Sequence, residues 1–422
     1  MKKVLILGAV VALVAAFTVP AEAVDHKFGG MWRTRAISVK NFSGDDTEKK
    51  DEQFVDTRTR LYYTAVLNEN LKLVNKFEMD ATWGLPKKND TYGGYGADAI
   101  AIEIKNTYAD FNLGDFNFKV GTQPFKLARG FIWSDDATGV QAVYKGDGFT
   151  LPFYWNKGWE GGAGKDANDE DVDFYAIAPS FKAGGFAITA NLAYLTSEDY
   201  EAFSNPKYVT DTEDLDIYYL GVDVDGKVGP ASVWASLIYE TGDATEKSTQ
   251  TEFDIKAYLV AAGATMKTGF GDVHAQAFYA SGDDDDADTD FEAFMVPSIQ
   301  SYTWAEIMGY GEIDYIVTPN SPGRDLTNII AYNIGVNFKP APKWNVLLDL
   351  WMAKLAEKNP AGDDKLGTEV DLQITYEIMK NFNLDLVAAH LWTGDATYKK
   401  VNPGDPKQKD ATELAAQLSL KF

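Results

Sequence analysis

The sequence predicts an all-β fold, a transmembrane antiparallel up-and-down β-barrel of about 18 strands, with 16 as the alternative count. Three observations support this prediction. Apolar and polar residues alternate with a period of two along many short segments. Short and long connections alternate between these segments along the chain. The N-terminus carries the pattern of an export signal.

The export signal is a positively charged start followed by an apolar run. Lys2 and Lys3 precede apolar residues 4–19, and Pro20 and the small-residue triplet 21–23 follow. This order defines a secretory signal peptide, and the run is too short for a typical membrane anchor. We therefore expect a signal peptide over residues 1–23 and a barrel with long extracellular loops over residues 24–422, the longest loop being 282–326.

Composition excludes several classes of protein. The chain contains no cysteine, which rules out disulfides, thiolate metal sites, iron–sulfur clusters and covalent haem attachment. Its formal net charge of -24 argues against nucleic acid as a partner, because phosphates would be repelled. The three histidines show no metal-ligand spacing and no motif nominates a serine nucleophile. We predict neither enzymatic activity nor a cofactor.

The C-terminal segment shows the alternation most clearly. One face carries Leu414, Ala416, Leu418, Leu420 and Phe422, and the other carries Glu413, Gln417, Ser419 and Lys421. In a membrane barrel the polar face lines the lumen. A charged side chain facing lipid would cost about 2–4 kcal/mol at the bilayer midplane, so the register is strongly specified.

The lengths of the connections distinguish a membrane barrel from a soluble β-sandwich, because nothing in a sandwich requires short and long connections to alternate along the chain. The predicted strands span 28–39, 54–67, 71–83, 99–111, 115–124, 138–145, 148–157, 171–181, 185–195, 214–225, 228–240, 252–267, 271–281, 327–339, 343–353, 367–377, 381–392 and 412–422. Long polar segments occupy 40–53, 84–98, 125–137, 158–170, 196–213, 241–251, 282–326, 354–366 and 393–411, with short turns between the other strand pairs. Short turns on one rim and long loops on the other are typical of bacterial outer-membrane barrels.

Aromatic residues mark the predicted strand ends, although aromatics are enriched in all strands. Trp83, Tyr239 and Trp392 would lie at the outer membrane interface. Phe116, Trp344, Tyr376 and Phe422 would lie at the inner one.

The signal peptide, the uniform hairpin array and the terminal strand ending in Phe422 resemble Gram-negative outer-membrane porins. This resemblance implies an outer-membrane location among lipid and lipopolysaccharide. It also implies recognition of the last strand by the barrel-assembly machinery, and a homotrimer as one possible assembly. A more local likeness is to alginate-export and related 18-stranded substrate channels, carried by the segments 120–125 (VGTQPF), 133–136 (WSDD) and 281–286 (SGDDDD).

Basic residues concentrate on the first five predicted strands. Four of the six arginines form two pairs at i,i+2 spacing, which places both members of a pair on one face of a strand. We define the predicted basic wall as Arg33, Arg35, Arg58, Arg60, Lys72, Lys76, Lys105 and Lys119. An arginine ladder resembles the constriction of general porins and would favour small anions or acidic solutes, although acidic loops at the mouth oppose anion capture.

The sequence leaves open which acids neutralise the positive charge of the basic wall. Asp135 and Asp136 lie in the third long segment, which in general porins folds into the lumen. Asp349, Glu369 and Asp371 on distant strands could face the wall across the pore. Alternatively, acids on the same strands neutralise it locally. The local candidates are Asp56, Glu78, Asp80 and Glu103, of which we place Glu78 and Asp80 in the pore lining.

The longest loop, 282–326, is rich in aromatic and aliphatic residues. Such a segment is unlikely to stay solvated. We predict that it packs over or into the mouth of the barrel, the alternative being a contact with a subunit or partner.

The same loop carries alternating acids, Asp284, Asp286, Asp288 and Asp290. They invite a calcium site, but Thr289 and Met295 stand where an EF-hand needs glycine and glutamate. A looser surface calcium site and solvated loop acids are the two remaining interpretations.

The sequence thus predicts a porin that passes small hydrophilic solutes by passive diffusion through a charged, loop-narrowed pore. Two alternatives remain: a channel specific for acidic solutes, and a porin-like sheath around a partner such as a redox protein.

Overall fold

The computed structural model describes residues 24–42, 44, 51–85, 92–96, 100–160, 171–197, 212–285, 288–297, 302–311, 313, 326–397 and 408–422. The predicted signal peptide, 1–23, lies outside the described residues. Among the described residues no helix is long and apolar enough to span a bilayer.

Eighteen strands form one closed antiparallel barrel in which each strand pairs with the next and the last pairs with the first. This confirms the predicted fold class and strand number. The strands are β1 (Asp25–Lys40), β2 (Glu52–Asn68), β3 (Leu71–Trp83), β4 (Glu103–Leu113), β5 (Phe116–Leu127), β6 (Trp133–Gly146), β7 (Phe149–Trp159), β8 (Val172–Ile177 and Ser180–Ala183), β9 (Phe186–Ser197), β10 (Thr212–Val228), β11 (Ala231–Glu246), β12 (Glu252–Lys267), β13 (Gly271–Ala280), β14 (Ile329–Phe338), β15 (Trp344–Lys354), β16 (Lys365–Met379), β17 (Phe382–Thr393) and β18 (Ala411–Lys421).

Three short elements accompany the barrel. Tyr92–Gly93 and Asp290–Phe291 add parallel pairs beside β3 and β12, and Ala128–Gly130 is a single 3-10 turn. The gap inside β8 falls at Ala178 and Pro179, where proline has no amide to donate to the sheet.

Two predicted long loops are wrong. The segment 125–137 is mostly strand, because β5 and β6 run on to Leu127 and back from Trp133, leaving only residues 128–132 as the connection. Asp135 and Asp136 therefore lie on β6 and not in a long loop. Likewise β11 continues to Glu246, which shortens the predicted loop 241–251 to residues 247–251.

One turn is also displaced. We expected it over 225–227, but β10 continues to Val228 and the turn falls at Gly229 and Pro230. Gly229 has a φ of 58°, a left-handed conformation that glycine adopts without steric cost.

The two faces of the wall differ as the alternation predicts. Large apolar side chains such as Leu237, Ile334 and Leu386 are exposed on the outside, whereas Glu369 and Asp385 on the inside are buried. Most of the predicted rim aromatics are also exposed at strand ends. They are Trp83, Phe116, Trp344, Trp392 and Phe422. Tyr239 is exposed but lies in the middle of β11, because that strand continues to Glu246.

The interior of the barrel is partly filled by the chain itself. We call the described residues 288–297, 302–311 and 313 of the longest loop the inner segment, and residues 128–132 the cross-lumen connection. Both contribute side chains that are almost fully buried, such as Phe131, Ile132, Phe294 and Ile307. The predicted inward packing of the longest loop is therefore confirmed for its described residues.

The seam between β1 and β18 closes the ring. Gly30 N donates to Phe422 O at 2.8 Å, and Phe422 N donates to Gly30 O at 3.1 Å. A Cβ atom at Gly30 would collide with the backbone oxygen of Arg60 and with the Phe422 ring. The absence of a side chain at position 30 therefore lets the terminal aromatic ring lie over the first strand.

We predict that Gly30→Val destabilises the barrel by about 1–3 kcal/mol, because the new side chain overpacks the seam. The measurement is the temperature at which the folded form is lost in a heat-modifiability gel. Gly269→Val is the matched control, since no atom lies within 4 Å of a Cβ at Gly269. Equal melting of the two variants would contradict the role given to the seam.

Candidate functional site: the interior of the barrel

The register of β1, β2 and β3 brings the arginine pairs and their acids into rows across the strands. Arg33 lies opposite Arg58, and Arg58 lies opposite Asp80. Arg60 lies opposite Glu78. Because directly opposite residues share one face of a sheet, the four arginines form the ladder that their spacing predicted.

Arg35, Arg58 and Arg60 each pair with an acid on an adjacent strand. Arg58 Nε and Nη2 bind the two carboxylate oxygens of Asp80 at 2.7 and 2.6 Å. Arg58 Nη2 also lies 3.2 Å from Glu78 Oε1, and Arg60 Nε pairs with Glu78 Oε2. Glu78 thus bridges two arginines, and the bidentate pair with Asp80 fixes the guanidinium plane of Arg58.

Arg35 occupies a different environment from the other arginines. It is only 5% exposed and binds Asp56 through Nε at 3.0 Å and Nη2 at 2.6 Å. Its Nη1 donates to the backbone oxygen of Ile313 in the inner segment. Arg35 therefore contacts the inner segment, whereas Arg58 and Arg60 are 22% and 24% exposed.

Two lysines of the basic wall, Lys105 and Lys76, interact with Asp136. Lys105 Nζ binds Asp136 Oδ2 at 2.7 Å, and Asn106 Nδ2 donates to Asp136 Oδ1 at 2.8 Å. The ammonium group of Lys76 is attracted by the carboxylate of Asp136 and repelled by the positive charges of Lys105, Arg60 and Lys119.

Two of these lysines also lie over aromatic rings. Lys76 Nζ is 5.4 Å from the centre of the Tyr62 ring, and Lys119 Nζ is 5.9 Å from that of Tyr108. Lys72 and Lys119 both lie opposite Asp110 on β4. Local acids therefore accompany the wall along its length, and its role as a constriction remains a prediction.

The inner segment is held by inward-pointing acids on β11 and β16. Glu369 Oε1 and Oε2 accept the amides of Ile307 and Met308 at 2.6 and 2.9 Å. Glu240 Oε2 accepts the amide of Met295 at 3.0 Å. The suggestion that Glu369 faces the basic wall across an open pore is wrong, because the inner segment covers Glu369 completely.

The cross-lumen connection contacts strands that are not its neighbours in the barrel wall. Arg129, with a φ of 58°, forms an ion pair with Asp225, lies 3.8 Å from Asp223 and is 5.0 Å from the Trp234 ring. These partners lie on β10 and β11, whereas the connection joins β5 to β6. The sequence analysis missed this contact; Arg129, as an arginine outside the two pairs, was the only signal.

Aromatic rings join the two inward elements. Phe131 stacks on Tyr302 at 4.3 Å, and Phe278 contacts Tyr302 and Trp304 edge-on. Burial raises the pKa of Tyr302 to about 12, so its hydroxyl stays protonated and donates to Gln276 Oε1 at 2.5 Å.

The two inward elements leave one part of the wall uncovered. Inward residues on β15, β16 and β17, such as Trp351, Glu369 and Leu391, are at most 2% exposed. Arg58 and Arg60 on β2 are more than a fifth exposed. Solvent inside the barrel therefore contacts the ladder side.

Asp349, a second predicted opposing acid, has local partners. Its Oδ1 lies 2.7 Å from His274 Nε2 and accepts Asn333 Nδ2 at 2.8 Å. Gly335 lies between His274 and Asp349 across β14, and a Cβ there would collide with both side chains.

The calcium interpretation gains no support from the described acids. Asp290 pairs with Lys256 through both carboxylate oxygens at 2.9 Å. Asp286 lies outside the described residues, and within the described part of the chain no cluster of three or more acids or histidines could hold a metal ion.

A closed 18-stranded barrel with a polar, partly filled interior defines an outer-membrane porin-type channel. The chain belongs to the alginate export family, whose model matches residues 25–404. No curated protein matches this chain.

Solved structures share the fold. Pseudomonas aeruginosa OpdK, solved with vanillate, is 12% identical with a TM-score of 0.59, covering 94% of this chain and 98% of that one. P. aeruginosa OccK8 (OprE) is 13% identical with a TM-score of 0.57, covering 94% and 98%. Acinetobacter baumannii OccAB3 is 10% identical with a TM-score of 0.57, covering 94% and 99%. At these identities the likeness shows the fold alone.

We predict that Glu78→Gln raises the preference of the channel for anions over cations. The substitution keeps the shape of the side chain but removes the charge that Arg58 and Arg60 share. One unit charge about 10 Å from the path in water changes an ion's energy by about 0.4 kcal/mol. This is a factor of roughly two for each ion, in opposite directions, and so roughly fourfold in the anion-to-cation permeability ratio. The measurement is the reversal potential in a salt gradient, with Glu69→Gln in a periplasmic turn as control. A reversal potential equal to that of the control would contradict the prediction.

Proposed function

We propose that the protein is a passive diffusion channel through which small hydrophilic solutes cross the outer membrane, with a preference for solutes that bear a carboxylate. The observation that carries this proposal is the position of the uncovered inner surface. The inner segment and the cross-lumen connection cover inward residues of β11 and β15 to β17, together with Arg35 on β1, while Arg58 and Arg60 on β2 stay in contact with solvent.

Charge chemistry supports the preference for carboxylates. A guanidinium group presents paired donors that match the two oxygens of a carboxylate. Arg58 already binds Asp80 in this way, so a solute carboxylate would exchange with a wall carboxylate and not bind irreversibly. Such exchange between neighbouring sites allows a solute to enter and also to leave.

The names of the relatives agree with this preference. The family is named for alginate export, and the OpdK structure was solved with vanillate. Both names denote carboxylates. The proposal includes export by way of a signal peptide over residues 1–23.

The alternative of a sheath around a partner protein is less well supported. A partner would have to occupy the lumen, and the inner segment packs there against Glu240, Glu369 and Arg35.

Uptake into liposomes tests the proposal. We expect the protein to admit glucuronate faster than glucose, which is similar in size but uncharged. We expect the double variant Arg58→Gln/Arg60→Gln to lose this difference, since the unpaired Glu78 and Asp80 then make the wall acidic. In planar bilayers the same variant should show a lower anion preference.

The control is Lys227→Gln/Lys267→Gln, which removes two exposed charges at the other end of the strands. A channel that admits glucose and glucuronate equally would refute the carboxylate preference. Failure of the unaltered protein to conduct ions or admit either sugar would refute the diffusion channel itself.

A further inference from the structure

We infer that Glu369 is a positioning residue that holds the inner segment against β16 and thereby sets the width of the channel. This inference rests on the proposed function for its consequence in transport, but the contact itself is independent of the solute. The position of the inner segment determines the largest solute that the channel admits, whereas the basic wall determines which charge the channel prefers.

The contact is a carboxylate that binds two successive backbone amides. Glu369 is fully buried, and its two oxygens accept the amides of Ile307 and Met308 at 2.6 and 2.9 Å. These amides point the same way because residues 304–309 form a tight turn. In this turn Gly309 N donates to Ala305 O at 3.1 Å, and Trp304 N donates to Gly309 O at 3.1 Å.

Buried backbone amides without a partner are costly, so the turn depends on an acceptor from the wall. A carboxylate meets this need because both of its oxygens accept. A glutamine at position 369 has nearly the same shape but only one accepting oxygen. Its amide nitrogen would face a backbone N–H, which places a donor against a donor.

Further contacts extend from this anchor along the inner segment. Asp371 Oδ2 accepts the amide of Glu306 at 3.3 Å, and Glu306 Oε2 accepts the amide of Ile313 at 3.3 Å. Arg35 donates to the backbone oxygen of Ile313. Glu369 makes the two shortest of the carboxylate–amide contacts near this turn, and it is the member whose oxygens are both used.

Nonpolar packing buries the side chains of the turn but does not fix the orientation of its backbone. Ala305, Ile307 and Met308 are at most 1% exposed, and Trp304 contacts Trp351 edge-on at 5.0 Å. Apolar contacts are non-directional. Orientation of the backbone therefore depends on the directional bonds to Glu369.

The natural chain lacks cysteine, so a single introduced thiol reports on the turn. Ala305→Cys places it at a fully buried position. With Glu369 intact, we expect slow reaction with a bulky, water-soluble maleimide. Adding Glu369→Gln should raise the labelling rate about tenfold or more, because losing charged hydrogen bonds raises the population of the opened turn.

Glu413→Gln is the matched control. Glu413 is an inward acid on β18 that is 2% exposed and lies in the same cluster, as its electrostatic interactions with Glu306, Asp371 and Arg35 show. It accepts no amide of the inner segment among the described residues. Its labelling rate should equal that of the parent. Equal acceleration in both variants would show that burial of any acid here suffices, and would overturn the assignment to Glu369.

A second variant removes an amide donor of the inner segment and leaves the Glu369 acceptor unchanged. Ile307→Pro removes one of the two amides and lies outside the barrel strands, so a folding defect of Glu369→Gln does not decide the matter. We expect accelerated labelling in this variant as well, with folding of each variant checked by heat modifiability. Slow labelling in both folded variants would overturn the inference.

Transport gives the separate readout. Glu369→Gln should increase single-channel conductance and admit larger neutral sugars, while Glu413→Gln should not. If the parent protein proves closed but Glu369→Gln conducts, the proposed function fails and the positioning role stands. If the parent conducts and Glu369→Gln shows the same conductance and size limit, the positioning role fails and the proposed function stands.

Discussion

In the hydrocarbon part of a membrane, a backbone amide or carbonyl has no water to bind, so each one must find a partner in the protein. A β-sheet meets this requirement only when it has no free edge. In this chain the requirement is met by 18 strands and by the pairing of β1 with β18. The alternation of side chains, the polar interior and the positions of the loops all follow from that closed ring.

A ring of this size encloses more space than its own wall residues fill. Here the chain uses two of its outer connections to occupy that space, and the mode of attachment differs between them. The cross-lumen connection is held by a cation, Arg129, on the acids of β10. The inner segment is held by wall carboxylates that accept its amides, above all Glu369. Acids inside this barrel therefore serve structure, while the exposed arginines remain available to solutes.

The sequence predicted the parts of this structure that depend on local pattern. Alternation and turn lengths gave the strand number, and i,i+2 spacing placed the four arginines on one ladder. The sequence also offered the local acids Asp56, Glu78 and Asp80 as partners, and the structure pairs them with the arginines. Two-residue periodicity was sufficient because each of these features lies within one strand or between neighbouring strands.

The parts that the sequence did not predict depend on distant contacts. Phe125, Leu127 and Trp133 alternate as strand residues, yet their inward face is apolar because it packs on the chain's own interior. A rule that expects polar residues inside the lumen assigns such a stretch to a loop. Glu369 was assigned to an open pore for the same reason, since only the fold shows that Ile307 and Met308 come to rest on it.

The seam at Gly30 and Phe422 also constrains when the barrel can form. It joins the first strand of the barrel to the eighteenth, so the pairing requires all the strands between them to be present. Every other consecutive strand pair can form from a hairpin, at a small loss of chain entropy. The last pairing has the greatest sequence separation in the molecule and belongs to the slow, non-local contacts of folding. A chain arrested before β18 would expose an unpaired β1 edge.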